Sequence, residues 1–183
     1  MRRSDGSALI AVAVVVLVVL APAVGWSTVS EGDRPELALT DIDGQQVELQ
    51  QLRGSVVLID FWATWCTPCH EALPFYERML EQYGDQGLEV LAVSIDADAD
   101  DIREFADEHS LTLPLLHDAD QQAFARFNPA AMPTTYFVDP DGEVQTVHIG
   151  FDGDDRDQLE ANIGEMLQDI SHQDDEQDGE SCH

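Results

Sequence analysis

With 183 residues the chain has room for one domain of ordinary size plus appendages, enough to bury a core without disulfide staples. Its 37 acidic residues stand against 8 basic ones, all of them Arg, and the formal charge of −29 argues against nucleic acid as a partner. Such a charge repels itself in dilute salt but is screened at molar salt, where the Debye length falls to roughly 3 Å, so a salt-loving source is expected.

Arg2 and Arg3 precede an uncharged apolar run from Ala8 to Val24, seventeen residues that are short for a spanning helix and long for a signal-peptide core. Residues 1–25 are therefore expected to be a signal anchor, with the membrane reached through residues 8–24. The alternative is a signal peptide cleaved near Ala23, in Ala21-Pro22-Ala23, and a secreted product. Either way the basic end stays inside and the folded part is exported, to a periplasmic or extracytoplasmic site. Residues 26–35 form a short polar tether, 36–170 the folded domain, and 171–183 an acidic tail too polar to order itself. Cys182, in that tail, is a free or intermolecularly paired thiol rather than a metal ligand.

From Leu37 short apolar alternations flank Asp43-Gly44, which predicts a hairpin at the start of the domain. SVVLIDFWATW follows as a near-continuous apolar strand, buried on both faces, with Phe61 and Trp62 in the core. The spacing predicts a helix over 68–83, with Leu73, Tyr76, Leu80 and Tyr83 on one face and a kink at Pro74. LEVLAVSID is a second buried strand, so strand, helix and strand form a parallel α/β unit. Asp98 to Asp101 can cap a helix ending near His109, with Ile102, Phe105 and Ala106 facing inward. LTLPLL reads as a short strand and Gln121 to Phe127 as a helix. MPTTYFVDPDGEVQTVHIG gives two antiparallel strands turning at Asp141-Gly142, and a last helix runs from about Arg156 to Ile170 on Leu159, Ile163, Met166 and Leu167.

Chemistry concentrates in Trp65-Cys66-Thr67-Pro68-Cys69-His70. Cys-x-x-Cys-His is a c-type haem attachment signature, and Cys-x-x-Cys is also a redox disulfide. The haem reading would need a second axial ligand, from Met79, Met132 or Met166, and gives no purpose to a buried strand immediately ahead. A strand that delivers the pair to the first turn of a helix does have one: the unpaired NH groups and positive end of the helix stabilise the thiolate of Cys66. Pro68 fits that first turn, where its missing NH costs little. In an exported, oxidising compartment such a dithiol requires a dedicated electron supply, and a membrane-bound thiol-disulfide electron donor is the implied partner.

The DG hairpin followed by LRGSVVLIDFWATWCTPC, the strand LEVLAVSID, the segment AMPTTYFVDPDGEV with Gly150 beyond it, and the closing helix together resemble the thioredoxin superfamily. The likeness is to its exported thiol-disulfide oxidoreductases of the TlpA and ResA type, and it covers roughly residues 35–168. The resemblance implies a thioredoxin fold, a central mixed sheet flanked by helices with an N-terminal hairpin extension. It implies no cofactor, a cis peptide bond at Met132-Pro133 facing the cysteine pair, and reduction of disulfides in exported proteins, including apocytochrome c. A disulfide-bearing protein would be attacked by Cys66 and the mixed disulfide resolved by Cys69. Trp65 and Pro68 would flank the exposed sulfur, and the main chain from Met132 through Thr134 would offer an edge to a substrate strand.

Two positions depart from the family pattern. The acid expected three places after the second cysteine is replaced by Ala72, with Glu71 one place earlier; a one-residue shift turns a helical side chain by about 100°, so Glu71 is expected to be solvated. Conversely, many exported relatives carry Asn where Asp60 stands, six residues before Cys66. A buried carboxylate there, its pKa raised, could take the proton from Cys69. His70 could add positive charge near the thiolate, although solvation is the simpler expectation. The other histidines converge on no metal, and the acid clusters lack a calcium loop's glycine and closing Glu. A peroxiredoxin-like peroxidase would want a Thr three places before its cysteine, and neither Cys66 nor Cys69 has one. A copper carrier using the cysteine pair is the remaining alternative, since thiolates suit Cu(I).

Overall fold

The computed structural model describes residues 28–179, with side chains through residue 169. The leader, the run from Ala8 to Val24, the start of the tether and Cys182 lie outside the described residues. Among the described residues no helix is long and apolar enough to cross a membrane.

The architecture is α/β, built on a seven-stranded mixed sheet. In chain order the strands are β1 (Ala38–Asp41), β2 (Gln46–Glu48), β3 (Val56–Trp62), β4 (Leu88–Ser94), β5 (Leu115–His117), β6 (Thr134–Val138) and β7 (Val144–Ile149). The helices are α1 (Cys69–Tyr83), α2 (Ala99–His109), α3 (Gln122–Phe127) and α4 (Asp155–Gly179). The sheet order is β2-β1-β5-β4-β3-β6-β7. β3, β4 and β5 run parallel, joined through α1 and α2, while β6, β7 and the β1–β2 hairpin pair antiparallel around them.

Every residue of β3 is buried, and the period of two divides the strand between two cores. Val56, Leu58 and Trp62 pack with Leu73, Phe75 and Tyr76 of α1, Ile102 and Phe105 of α2, and Leu159 and Ile163 of α4. Val57, Ile59 and Phe61 pack on the opposite face with Leu37, Leu49, Phe127 and Tyr136. Asp60 shares its face with Leu58 and Trp62, so its carboxyl enters the layer beneath α1.

The expected hairpin forms, its turn held by the Asp41 carboxylate, which accepts from Asp43 N at 2.9 Å and Gln45 N at 2.8 Å. Two elements differ from expectation. β5 begins only after Pro114, because the NH groups of Thr112 and Leu113 donate instead to the buried Glu77 carboxylate at 2.9 and 3.0 Å, and Pro114 has no NH to offer a ladder. α4 runs through Gly179, so the backbone of 171–179 is helical where an unordered tail was expected. A helix already nucleated and packed extends through Pro-free Gln, Asp and Glu at little cost per residue.

Candidate active site

β3 ends at Trp62, and the chain turns through Ala63, Thr64 and Trp65 into Cys66 and the first turn of α1. Asp96, 4% exposed and two residues past the end of β4, fixes this turn: its carboxylate accepts from Thr64 N at 2.9 Å and Thr64 Oγ1 at 2.8 Å. The Thr64 carbonyl in turn lies 2.7 Å from His70 Nε2. His70 is thus half-buried rather than simply solvated; its ring packs 4.9 Å from Phe105, and Phe105 packs 4.2 Å from His109. Two helices and a strand end therefore hold the loop that carries the cysteines.

Cys66 and Cys69 are joined in a disulfide. Cys66 is 5% exposed and Cys69 fully buried, so of the pair Cys66 alone keeps any solvent-exposed surface. Pro68 is the N-cap residue of α1, and Cys69 N donates to Cys66 O at 3.0 Å, closing the turn. Trp65 projects into solvent at 66% exposure, whereas Phe61 and Trp62 lie in the core as expected.

The Met132-Pro133 bond is cis, and Pro133 O accepts from Gly150 N at 2.8 Å. Thr134 is buried: its hydroxyl donates to Ala131 O at 2.7 Å, and its backbone lies in the sheet between Phe61 and Ile149. Of the residues 132–134, Met132 alone is partly exposed. Glu71 is exposed, as expected, and its carboxylate also lies 3.3 Å from Arg156 of α4.

Beneath α1, Asp60 is fully buried; burial pushes its pKa up from 3.8 to about 8, while a hydrogen bond from Thr135 opposes the rise. Thr135 Oγ1 donates to Asp60 Oδ1 at 2.8 Å and lies 2.6 Å from Tyr76 Oη. Thr135 and Tyr76 are polar partners that the sequence reading missed. Tyr76 read as one more member of an apolar stripe, and the placement of Thr135 opposite Asp60 follows only from strand register. Among the described residues no group of three or more His, Cys, Asp or Glu side chains is placed to hold a metal ion.

Residues 32–147 match the AhpC/TSA family. Thiol-disulfide oxidoreductase ResA of Bacillus subtilis (strain 168) is 32% identical over 127 residues, 69% of this chain and 71% of that protein. ResA of Oceanobacillus iheyensis is 36% identical over 110 residues, 60% of this chain and 57% of its own length. A solved structure from Chlorobium tepidum, assigned as the thiol:disulfide interchange protein DsbE, superposes with a TM-score of 0.73 at 33% identity, covering 76% of this chain and 99% of that one. The thioredoxin-like sheet, the bonded Cys66–Cys69 pair at the head of α1 and these likenesses agree: the chain belongs to the AhpC/TSA family and is a thiol-disulfide oxidoreductase of the ResA and DsbE kind.

Proposed function

We propose that the Cys66/Cys69 dithiol reduces disulfides in exported proteins, apocytochrome c among them. The observation that carries this is the asymmetry of the pair: Cys66 keeps a sliver of exposed surface, Cys69 at the helix start keeps none, and a carboxyl is buried beneath the same helix. The Cys66 thiolate attacks a substrate disulfide and releases one substrate sulfur as thiolate, leaving a mixed disulfide. Cys69 then gives its proton to Asp60 and attacks Cys66. The bond from Cys66 to the substrate breaks, its electron pair leaves with the substrate sulfur, and the substrate departs as a dithiol. The two electrons come from the protein, which ends in the bonded form seen here and must be reduced again by a membrane-bound thiol-disulfide donor.

Substrate contact falls to Trp65, Pro68 and Met132, with Pro133 and Thr134 shaping the turn behind them. The exposure of Trp65 supports the first of these, since an indole held in solvent is available for burial by a partner. The apolar run from Ala8 to Val24 supports an extracytoplasmic location, anchored by that run or secreted after cleavage near Ala23.

The deciding experiment is Cys69→Ser expressed in the native host. A variant lacking the resolving thiol should accumulate mixed disulfides at Cys66 whose partners can be identified, and Cys-x-x-Cys-His proteins among them would support the apocytochrome reading. If nothing is captured and the intact protein fails to reduce insulin, the reading is wrong.

A further inference from the structure

We infer that Thr135 and Tyr76 are positioning residues for this exchange. Their hydroxyls form a relay that holds the Asp60 carboxyl by Oδ1 and leaves Oδ2 as the oxygen that takes the Cys69 proton. The inference rests on the proposed role of Asp60 as the base.

A hydroxyl has one proton. Thr135 Oγ1 spends it on Asp60 Oδ1 at 2.8 Å, so the 2.6 Å contact with Tyr76 must be a bond in which the phenol donates. Tyr76 is suited to that direction, because burial and then the nearby Asp60 charge hold its pKa well above the ordinary value and keep its proton in place. Asp60 Oδ2, equally buried, has no hydrogen-bond partner among the described residues. A proton arriving at the carboxyl therefore finds Oδ1 already engaged and Oδ2 bare. Tyr76 stands seven residues after Cys69, two helical turns along the same inward face. The relay thus joins the base to the helix that carries the resolving thiol.

The surroundings supply few competing charges. β4 presents Ala92 opposite Asp60, β6 presents Thr135, and α1 presents Tyr76. β7 places His148 across from Thr135, where it lies 3.5 Å from Asp155 at the start of α4; Asp155 is the further charge that Tyr76 feels. In the resolving step the Cys69 S–H bond breaks as Oδ2–H forms. The freed sulfur bonds to the Cys66 sulfur, and the substrate sulfur leaves with the electron pair and takes its proton from water. With Oδ1 held, the carboxyl need not rotate to accept the proton.

The test is a carboxyl-carbon NMR titration of Asp60 in the oxidised protein, alongside the pH profile of insulin reduction. Thr135→Val removes a hydrogen bond that favours the carboxylate, and the Asp60 midpoint should rise by about one pH unit. Thr135→Ser should restore it, and Tyr76→Phe, which keeps the buried ring and removes the phenol proton, should raise it by a smaller step. The inflection in insulin reduction should move with the midpoint and vanish in Asp60→Asn. An unmoved midpoint in Thr135→Val and Tyr76→Phe, with the profile still abolished by Asp60→Asn, overturns the relay and leaves the base standing. A profile unchanged in Asp60→Asn overturns the base, and the positioning role with it.

Discussion

A carboxyl with no exposed surface costs free energy whenever it ionises, and at Asp60 this gives stability and turnover opposite signs. Unfolded, the group titrates near 3.8; folded, it titrates at about 8. Between those values the native state keeps a proton that the unfolded chain has lost. Stability is therefore full below the lower value and falls as pH rises through the upper one. Asp60→Asn removes the ionisation. Its stability margin over the parent should widen by ~1.4 kcal/mol per pH unit across that window and level off above it, as urea unfolding at about pH 5, 7 and 9 would reveal. An equal margin at all three would contradict the cost of burial. The same variant should slow insulin reduction, a trade of activity for stability seen where a site is strained for function. Cys66, Cys69 and the burial of Asp60 were legible because each interrupts an apolar strand or opens a helix in a recognisable place. The partners of Asp60 were not, since a hydroxyl's proton is committed by whichever strand or helix lands beside it. His70 was misread for the same reason: Phe105 and His109 arrive from α2, more than thirty residues along the chain.

The helices owe their ends to local chemistry, which makes their boundaries testable one residue at a time. Asp98 caps α2 by accepting from Asp100 N at 2.9 Å, so Asp98→Ala should cost about 1 kcal/mol, read as a lower melting temperature with insulin reduction unchanged. Gly142 turns β6 into β7 at φ 79°, with the Arg53 guanidinium over its α-carbon. Gly142→Ala must displace that guanidinium and hold a left-handed conformation, at a cost of roughly 1–2 kcal/mol. A melting temperature unaltered by either change would show that the turn or cap contributes nothing. The cap, the Asp-Gly turns and the two mainly apolar strands were legible because their signals are local. The shortening of β5 was not, because Glu77, on α1, takes the NH groups that a longer strand would have used.

Across the whole molecule the net charge of −29 dominates, with few cations to offset it. The described residues contain three Arg–carboxylate ion pairs, Arg34–Glu143, Arg103–Asp100 and Arg156–Glu71, each with an exposed member, and such pairs contribute little. Mutual repulsion is therefore left to the solvent to screen, and the melting temperature should rise between low and molar salt. A flat or falling dependence, followed by calorimetry, would remove the case for a high-salt habitat. The sequence by itself determined the α/β class, the position of the cysteine pair at a strand-to-helix turn, and the acidity, because periodicity, turn residues and charge count are properties of neighbours along the chain. Only the tertiary structure decided that Cys69 is sealed while Cys66 is not, that Thr134 lies within the sheet, and that Thr135 and Tyr76 grip Asp60. Those facts depend on strand order and register, which bring together groups up to 75 residues apart through the burial of both faces of one sheet.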